Sequence, residues 1–242
     1  MTGAASGMGR ATAELFAEDG ANVIVTDRTL EDAQRVADAI SQRGGPARAW
    51  ALDVADPQAI TATVQEAASF FGAIDIVVNN AEISGLLPID DPDYDDHFHR
   101  LMTVLLTSHQ RVVRAALPYL RRSDAARIVN IASTEALGAT RHDSAYAAAK
   151  AGVTGLTRAM AVDLGPAGIT VSCICPGPIL TGMTEAISAE DRDVFARRRT
   201  ALRRYGRPEE VAQITLSLCL PSASYITGTT IPVDGGLMAR NA

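Results

Sequence analysis

Short apolar runs rich in β-branched residues alternate along the chain with longer segments of helical periodicity. The runs predict six strands, over residues 23–26, 47–52, 74–78, 127–131, 169–174 and 230–233. Such an alternation is typical of a parallel sheet that carries helices on both faces. The pattern therefore predicts an α/β fold with a doubly wound parallel sheet.

Several helix boundaries carry local signals. Asp56 is a good cap residue and is followed by Pro57 at the first helical position, while Pro208 opens a segment with acidic residues in its first turn. We expect glycines to close the preceding helices, at Gly44, Gly45, Gly72 and Gly165. The chain shows no internal repeat, linker or low-complexity stretch, so residues 1–242 are predicted to form a single domain.

Composition and charge narrow the function classes. Hydrophobic residues make up 47% of the chain and charged residues 21%, which excludes a disordered or fibrous protein. The net charge of −6 argues against a nucleic-acid partner. No apolar run approaches the ~20 residues needed to span a bilayer, and the N-terminus lacks a signal-peptide pattern, so we predict a cytoplasmic protein without a membrane partner.

Cysteines and arginines receive a structural interpretation. Three cysteines are an odd number in a sizeable core, so we predict buried thiols rather than disulfides at Cys173, Cys175 and Cys219. The basic cluster is interpreted mainly as a solvated helix face, with contact to an anionic substrate as the alternative, at Arg197, Arg198, Arg199, Arg203 and Arg204.

A glycine-rich turn near the N-terminus offers a phosphate site. Residues 2–9 read Thr-Gly-Ala-Ala-Ser-Gly-Met-Gly and run into a helix predicted from Arg10 to Glu18. Such a turn can present backbone N–H groups to a pyrophosphate, although a glycine-rich loop that merely caps a helix is the alternative. A Walker loop is excluded because no Lys-Ser/Thr follows the last glycine.

The strand expected before this turn is missing. A dinucleotide fold leads a buried strand into the glycine turn, yet only Met1 precedes Thr2. We therefore expect the natural protein to begin upstream of Met1 with several more apolar residues. An in-frame stop codon immediately before Met1 would contradict this expectation.

Asp27 bears on the choice of dinucleotide. It ends a predicted strand about twenty residues after the glycines, where a carboxylate can accept hydrogen bonds from a ribose diol and repel a 2′-phosphate. This position favours NAD over NADP. Arg28 beside it could receive a phosphate, so NADP remains the less favoured alternative.

Tyr146 and Lys150 form the most specific chemical pair. Residues four apart share one face of a helix, so the phenol and the ammonium lie within electrostatic reach. A neighbouring cation is expected to lower the pKa of the phenol and make it a usable acid/base. Ser133 follows the strand over residues 127–131, at a strand end where ligands bind in such sheets.

With these motifs in place, the chain resembles the short-chain dehydrogenase/reductase family along essentially its whole length, and in particular its 3-oxoacyl-carrier-protein reductases and glucose 1-dehydrogenases. The resemblance rests on the glycine turn, Asp27, Ser133, the Tyr146/Lys150 pair and the motifs at residues 53–54, 79–81, 176–181, 225–228 and 233–236. It implies a Rossmann-like sheet in the order 3-2-1-4-5-6-7, and usually a homotetramer built on the two longest helices.

The resemblance also implies roles for individual residues. Tyr146 would exchange a proton with the oxygen of a secondary alcohol or ketone, Ser133 would hydrogen-bond that oxygen, and Lys150 would hold the nicotinamide ribose. Asp53 and Val54 would face the adenine ring, and Ile179 and Thr181 the carboxamide. The implied NAD-binding set is Gly3, Ser6, Gly7, Met8, Gly9, Asp27, Asp53, Val54, Asn80, Ala81, Tyr146, Lys150, Pro176, Gly177, Ile179 and Thr181.

Two positions depart from the family pattern. Leu105 stands where the family has an Asn of its proton relay, and we expect an impaired or rerouted relay rather than a dead enzyme. Glu82 replaces the glycine that usually follows Asn-Asn-Ala. Two consequences stay open for Glu82: strain in the turn, or a carboxylate near the cofactor.

Three further features have weaker interpretations. His97 and His99 point to different sides of a predicted helix, so no metal site is expected. His142 lies between Ser133 and Tyr146 and is either a specificity residue or a solvated loop residue. Residues 184–205 are predicted to form a lid over the substrate.

Two other functions compete with an oxidoreductase. A catalytically silent NAD(P)-binding sensor or scaffold is suggested by Leu105, Glu82 and the missing strand, although intact Ser133, Tyr146 and Lys150 oppose it. A dehydratase or epimerase would need a longer chain with a substrate domain. The sequence does not identify the substrate.

Overall fold

Parallel strands and helices alternate as the sequence predicts. The structure, a computed structural model, describes residues 1–240. Its strands are β1 (Val23–Asp27), β2 (Ala47–Ala51), β3 (Ile76–Asn79), β4 (Arg127–Ile131), β5 (Thr170–Pro176) and β6 (Thr230–Val233). Its α-helices are α1 (Gly7–Glu18), α2 (Leu30–Gln42), α3 (Pro57–Phe71), α4 (Tyr94–Met102), α5 (Ser108–Leu120), α6 (Ser144–Leu164), α7 (Gly182–Glu185), α8 (Ala189–Arg199) and α9 (Pro208–Cys219).

The strands form two parallel groups joined by the first residues of the chain. β1 pairs with β2, and β3, β4, β5 and β6 follow one another in that order. Between β1 and β3 lie Met1 and Thr2: the Thr26 N–H donates to the Met1 carbonyl at 3.1 Å, and the Thr2 N–H donates to the Val78 carbonyl at 3.1 Å. The direction of winding therefore reverses at this two-residue segment, in the order that the family resemblance implied.

Beside Met1, a cavity of about 300 Å³ lies between the two groups of strands. Its walls include Val23 and Ile24 of β1 and Ile76 and Val78 of β3. Thr2 makes an isolated bridge to Thr26 rather than part of a longer strand. Within residues 1–240, backbone pairing between β1 and β3 thus passes only through Met1 and Thr2.

Alternate residues of the central strands supply two apolar cores. Val78 and Val129 belong to one core, which α1, α2 and α9 cover. Val77 and Ile128 belong to the other, which α3, α5 and α6 cover. Because successive side chains of a strand point to opposite faces, helices on both faces are required to bury them.

Most predicted helix boundaries are confirmed. Asp56 caps α3, Pro208 opens α9, and Gly72 ends α3 in the left-handed conformation at φ 82°. One boundary was wrong, since α1 begins at Gly7 rather than Arg10. Gly165 is the C-cap of α6, as predicted, although in the right-handed conformation at φ −53°. Gly165 continues into a 3-10 turn that Gly168 closes at φ 75°, because Gly168 is the residue that adopts the left-handed region.

Two further predictions concern cysteines and membrane-spanning segments. Cys173, Cys175 and Cys219 are buried free thiols, as predicted. Across residues 1–240, every helix is either too short or too polar to cross a bilayer.

Candidate active site

The glycine turn is held closed by backbone contacts that exclude a side chain. Gly3 has φ 62°, and a Cβ there would lie 2.7 Å from the Ala81 Cα. A Cβ on Gly9 would lie 2.0 Å from the Gly3 carbonyl oxygen. Only glycine fits such approaches, so these positions set the shape of the turn and bring it to the start of α1.

Asn80 fastens this turn to the end of β3. Its side-chain amide donates to the Thr2 carbonyl at 3.1 Å and to the Gly3 carbonyl at 2.8 Å. The Thr2 hydroxyl in turn accepts from the backbone N–H groups of Asn80 and Ala81 at 3.0 and 3.1 Å. The turn and the carboxyl end of β3 therefore form one hydrogen-bonded unit.

A cavity of about 560 Å³ opens at the carboxyl ends of the strands, beside the glycine turn. Its walls include a large part of the residues predicted to bind a dinucleotide: Gly3, Ser6, Gly7, Met8, Gly9, Asp27, Asp53, Val54, Asn80, Ala81 and Thr181. Pro176, Gly177, Ile179, Tyr146 and Lys150 are outside its walls.

Additional wall residues were not singled out as binding residues from sequence. They are Leu52, Ala55, Ile83, Arg100, Val104, Gly182 and Met183. Arg28 and Glu82, which also line the cavity, were named from sequence as a phosphate contact for NADP and as an unusual carboxylate. Leu52, Ala55 and Gly182 are next in sequence to predicted binding residues, so their place in the cavity wall could have been predicted from that proximity. Arg100, from α4, carried no such signal.

Asp27 stands at the cavity edge with its carboxylate already oriented. One oxygen accepts from the Ala5 N–H at 3.0 Å and the other from the Arg28 N–H at 2.8 Å. These bonds fix the carboxylate against the glycine turn. A carboxylate with two oxygens keeps acceptor sites free for a diol.

The residues after β5 shape the backbone rather than the cavity wall. The Gly177 N–H donates to the Val233 carbonyl at 3.0 Å, and a Cβ there would lie 2.7 Å from the Asp234 Cα. Ile179 is buried in the core and pairs with Gly206. Thr181, which does line the cavity, caps α7.

Tyr146 and Lys150 project from α6 into a nearly closed site. Tyr146 is 8% exposed and Lys150 is 1% exposed. The ammonium of Lys150 donates to the Ile131 carbonyl at 3.1 Å and lies 5.4 Å from the centroid of the Tyr146 ring. The predicted neighbourhood of the two side chains is confirmed.

Glu82 lies between these two residues. The Tyr146 hydroxyl donates a hydrogen bond to the Oε1 atom of Glu82, and the same oxygen lies 3.2 Å from the Lys150 ammonium. Of the two consequences left open for Glu82, strain from a positive φ is not found at this residue. Its carboxylate lines the cavity, and its nearness to a cofactor stays a prediction. The contact between Glu82 and Tyr146 was not derivable from sequence, because the two residues are 64 positions apart.

The pKa of Tyr146 moves opposite to the direction expected from Lys150. Burial raises this pKa well above its usual value, and the charge of Glu82 and the hydrogen bond to it raise it further. A hydrogen bond with Ser133 acts to lower it, and Asp143 adds a smaller upward effect. The sequence-based expectation was wrong because it omitted the burial of the phenol and the carboxylate beside the pair.

Ser133 lies two residues beyond the end of β4, and its hydroxyl acts to lower the pKa of Tyr146. Its own hydroxyl oxygen accepts from the Glu135 N–H at 3.1 Å and caps a 3-10 turn at Thr134–Ala136. Ser133, Tyr146 and Lys150 therefore meet at one place, next to the Glu82 wall of the cavity.

The helix position of the expected relay Asn is apolar and buried. Leu105 is fully buried within a π-helical turn, Thr103–Thr107, that joins α4 to α5. One turn further on, His109 is also buried, and burial lowers its pKa to about 3, with a further contribution from Lys150. His109 is therefore a neutral neighbour of the site.

The other histidines and the arginines take ordinary positions. A ring nitrogen of His97 hydrogen-bonds the Gly85 carbonyl at 3.0 Å, and residues 1–240 contain no cluster of three metal-ligating side chains. His142 has φ 65° in the loop before α6. Arg197, Arg198 and Arg199 form the last turn of α8, exposed as predicted, whereas Arg203 and Arg204 follow that helix.

Comparisons with known proteins agree with this architecture. A family model described as enoyl-(acyl carrier protein) reductase matches residues 3–238. The chain is 39% identical to the short-chain reductase protein NovJ of Streptomyces niveus, over 98% of this chain and 92% of that protein. It is 38% identical to meso-2,3-butanediol dehydrogenase of Serratia marcescens, over 100% and 94% respectively.

A solved structure gives the same result at the level of the fold. A short-chain type dehydrogenase/reductase from Mycobacterium marinum superimposes with a TM-score of 0.92 at 33% identity, covering 99% of this chain and 94% of that one. The chain belongs to the short-chain dehydrogenase/reductase family, whose members are oxidoreductases that use NAD(P). The predicted family and its Rossmann-like parallel sheet are thereby confirmed.

Proposed function

We propose that this protein transfers a hydride between NAD(H) and a secondary alcohol or ketone, with Tyr146 as the acid/base. One observation carries the proposal. Ser133, Tyr146 and Lys150 meet beside a cavity of about 560 Å³ whose walls contain the glycine turn and Asp27. A dinucleotide site next to a buried phenol is the arrangement that this reaction requires.

The cavity offers backbone N–H donors and a carboxylate acceptor to a dinucleotide. Its glycine turn excludes side chains and lies at the start of α1, where free N–H groups favour phosphate. Asp27 offers a fixed carboxylate to a ribose diol, which supports NAD over NADP. We propose that Asp53 and Val54 border the adenine and that Asn80, Ala81 and Thr181 border the rest of the cofactor.

The protein's own residues handle the proton. When bound, the nicotinamide supplies or accepts the hydride. Tyr146 gives its proton to a carbonyl oxygen during reduction, or takes one from an alcohol during oxidation. Ser133 donates a hydrogen bond to the same oxygen, and Lys150, held by the Ile131 carbonyl, provides a fixed positive charge and a donor to the ribose.

Pro176, Gly177 and Ile179 support this site indirectly. They lie outside the cavity walls and fix the path of the backbone towards Thr181. We propose further that the whole chain acts as one cofactor-binding and catalytic domain, that it works in the cytoplasm and that it assembles as a homotetramer.

The relatives supply the substrate panel for the test. They include a 3-oxoacyl-[acyl-carrier-protein] reductase of Thermotoga maritima, the butanediol dehydrogenase and a 7alpha-hydroxysteroid dehydrogenase of Escherichia coli. Turnover of NADH and NADPH is measured by absorbance with 3-oxoacyl thioesters, diketones, ketosteroids and sugars. Tyr146→Phe is expected to lose at least about a hundredfold in kcat, since it removes the proton carrier. Turnover that survives this change would remove the assigned acid/base.

A catalytically silent NAD(P) sensor is the second candidate. The observation that favours it is the engagement of Tyr146 and Lys150 with Glu82. The same experiment separates the two functions, because a sensor binds NADH, detected by fluorescence, yet turns over none of the substrates.

A further inference from the structure

Glu82 places a carboxylate inside the proposed catalytic centre. It follows Ala81 at the end of β3, its side chain is 13% exposed, and it lines the cavity as well as contacting α6. We propose that Glu82 is a fourth member of the centre, beside Ser133, Tyr146 and Lys150, which holds the proton on Tyr146 and so shifts alcohol oxidation to higher pH. This inference rests on the proposed function, since it assigns Tyr146 the proton.

The geometry makes one oxygen atom serve both partners. Oε1 of Glu82 accepts the hydrogen bond of Tyr146 and lies 3.2 Å from the Lys150 ammonium. Lys150 is 1% exposed, so its charge is screened by little water, and Glu82 is the carboxylate paired with it. The negative charge of Glu82 therefore offsets the positive charge of Lys150, which would otherwise stabilise a phenolate at Tyr146.

None of the other groups described around Tyr146 brings a second positive charge to the phenol. The apolar side chains of Leu101 and Leu105 pack against Tyr146 from α4 and the π-helical turn. The polar and titratable groups around the pair are Ser133 after β4, Asp143 before α6, His109 on α5, Cys173 and Cys175 on β5, and Tyr94, whose hydroxyl is bonded to Ser144. Asp143 also opposes a phenolate, since it is a second acid near Tyr146.

The sign of the effect follows from the two reaction directions. Oxidation needs Tyr146 deprotonated to accept the alcohol proton, whereas reduction needs it protonated to donate one. A carboxylate at hydrogen-bond distance disfavours the phenolate, so it extends reduction to higher pH and confines oxidation to higher pH. Removal of the charge moves both pH limits downward.

Glu82→Gln isolates the charge. The glutamine keeps an oxygen that accepts a hydrogen bond from Tyr146 and has nearly the same volume. Ionisation of Tyr146 is followed by the ultraviolet absorbance of phenolate, as the difference between each protein and its Tyr146→Phe counterpart. The Tyr146 titration in Glu82→Gln is expected roughly 1–3 pH units below that of the wild type. The pH at which kcat/KM for alcohol oxidation rises, at saturating cofactor, is expected to shift in the same direction.

Two controls accompany this variant. Glu66→Gln removes the same charge from an exposed site on α3 and is expected to leave the Tyr146 titration and the pH dependence of kcat/KM unchanged. Glu82→Asp retains the charge and is expected to return the titration towards the wild type, and circular dichroism verifies the fold of each variant. Identical Tyr146 titrations in the wild type and Glu82→Gln would overturn the inference.

The outcome is separable from that of the proposed function. If Tyr146→Phe remains active, the proposed function fails, while the phenolate titration still measures the contact with Glu82. If Tyr146→Phe is inactive and Glu82→Gln shifts neither the titration nor the pH limits, only the role of Glu82 fails.

Discussion

Asp27 ends β1 at the edge of the cavity with both carboxylate oxygens bound to backbone N–H groups, those of Ala5 and Arg28. The side chain is thus fixed by the same turn that is proposed to hold the pyrophosphate. A fixed negative charge discriminates against a ligand phosphate more sharply than a mobile one, because it cannot turn away. We therefore expect Asp27 to contribute to the cofactor preference at this site.

We predict that Asp27→Ser reduces the preference for NADH over NADPH by about tenfold or more, since a repulsion of about 1.4 kcal/mol corresponds to that factor. The measurement is the ratio of the two dissociation constants, from NAD(P)H fluorescence. Asp19→Ser, at an exposed carboxylate after α1, serves as the charge control. An unchanged ratio in Asp27→Ser would mean that Asp27 does not select the cofactor.

Residues that act through local spacing could be predicted from sequence, and residues that act through long-range contact could not. Tyr146 and Lys150 are one helical turn apart, so their proximity follows from helix geometry. Glu82 reaches Tyr146 across 64 positions, and its direction depends on how β3 is placed against α6. The pKa direction of Tyr146 was missed because neither its burial nor this contact follows from local spacing, although Glu82 itself was noticed as unusual.

At the scale of elements, the cap of α3 shows how a local signal becomes stability. One oxygen of Asp56 accepts from the N–H groups of Gln58 and Ala59 at 2.8 and 3.0 Å. Pro57, which has no N–H, occupies the first helical position. The two residues together satisfy or remove donors that a helix start otherwise leaves unpaired.

Asp56→Ala is predicted to lower the free energy of unfolding by about 1 kcal/mol, because it removes this cap. Denaturant titration followed by circular dichroism measures the change. Asp93→Ala is the matched control: Asp93 also precedes a helix, α4, but its side chain makes no cap hydrogen bond. Equal losses in the two variants would show that the cap bonds contribute nothing beyond helix-dipole charge.

Element ends were predictable where a specific residue type marks them and less so where competing residues lie close together. Gly165 and Gly168 are both plausible helix ends, and Pro166 between them extends a 3-10 turn to the second one. The π-helical turn at Thr103–Thr107 had no sequence signal at all. It places Leu105 towards Tyr146, so the apolar side of the site depends on a local irregularity.

At the scale of the molecule, the two groups of strands are joined through Met1 and Thr2. Thr2 is 5% exposed, donates its N–H to Val78, and accepts two N–H bonds through its hydroxyl from Asn80 and Ala81. This hydroxyl therefore ties the glycine turn to the end of β3, which also carries Glu82. The sheet order could be predicted from the family resemblance, but the contribution of the Thr2 hydroxyl to the junction could not.

We predict that Thr2→Val lowers the free energy of unfolding by at least about 2 kcal/mol, since valine keeps the shape but leaves two N–H groups without their acceptor. Thr61→Val is the matched control, because Thr61 is exposed on α3 and water can replace its bond to the Pro57 carbonyl. Its effect is expected within about 0.5 kcal/mol. Hydrogen exchange should show faster opening at the Asn80 and Ala81 amides in Thr2→Val, and a loss of stability without that local change would place the cause elsewhere than at the junction.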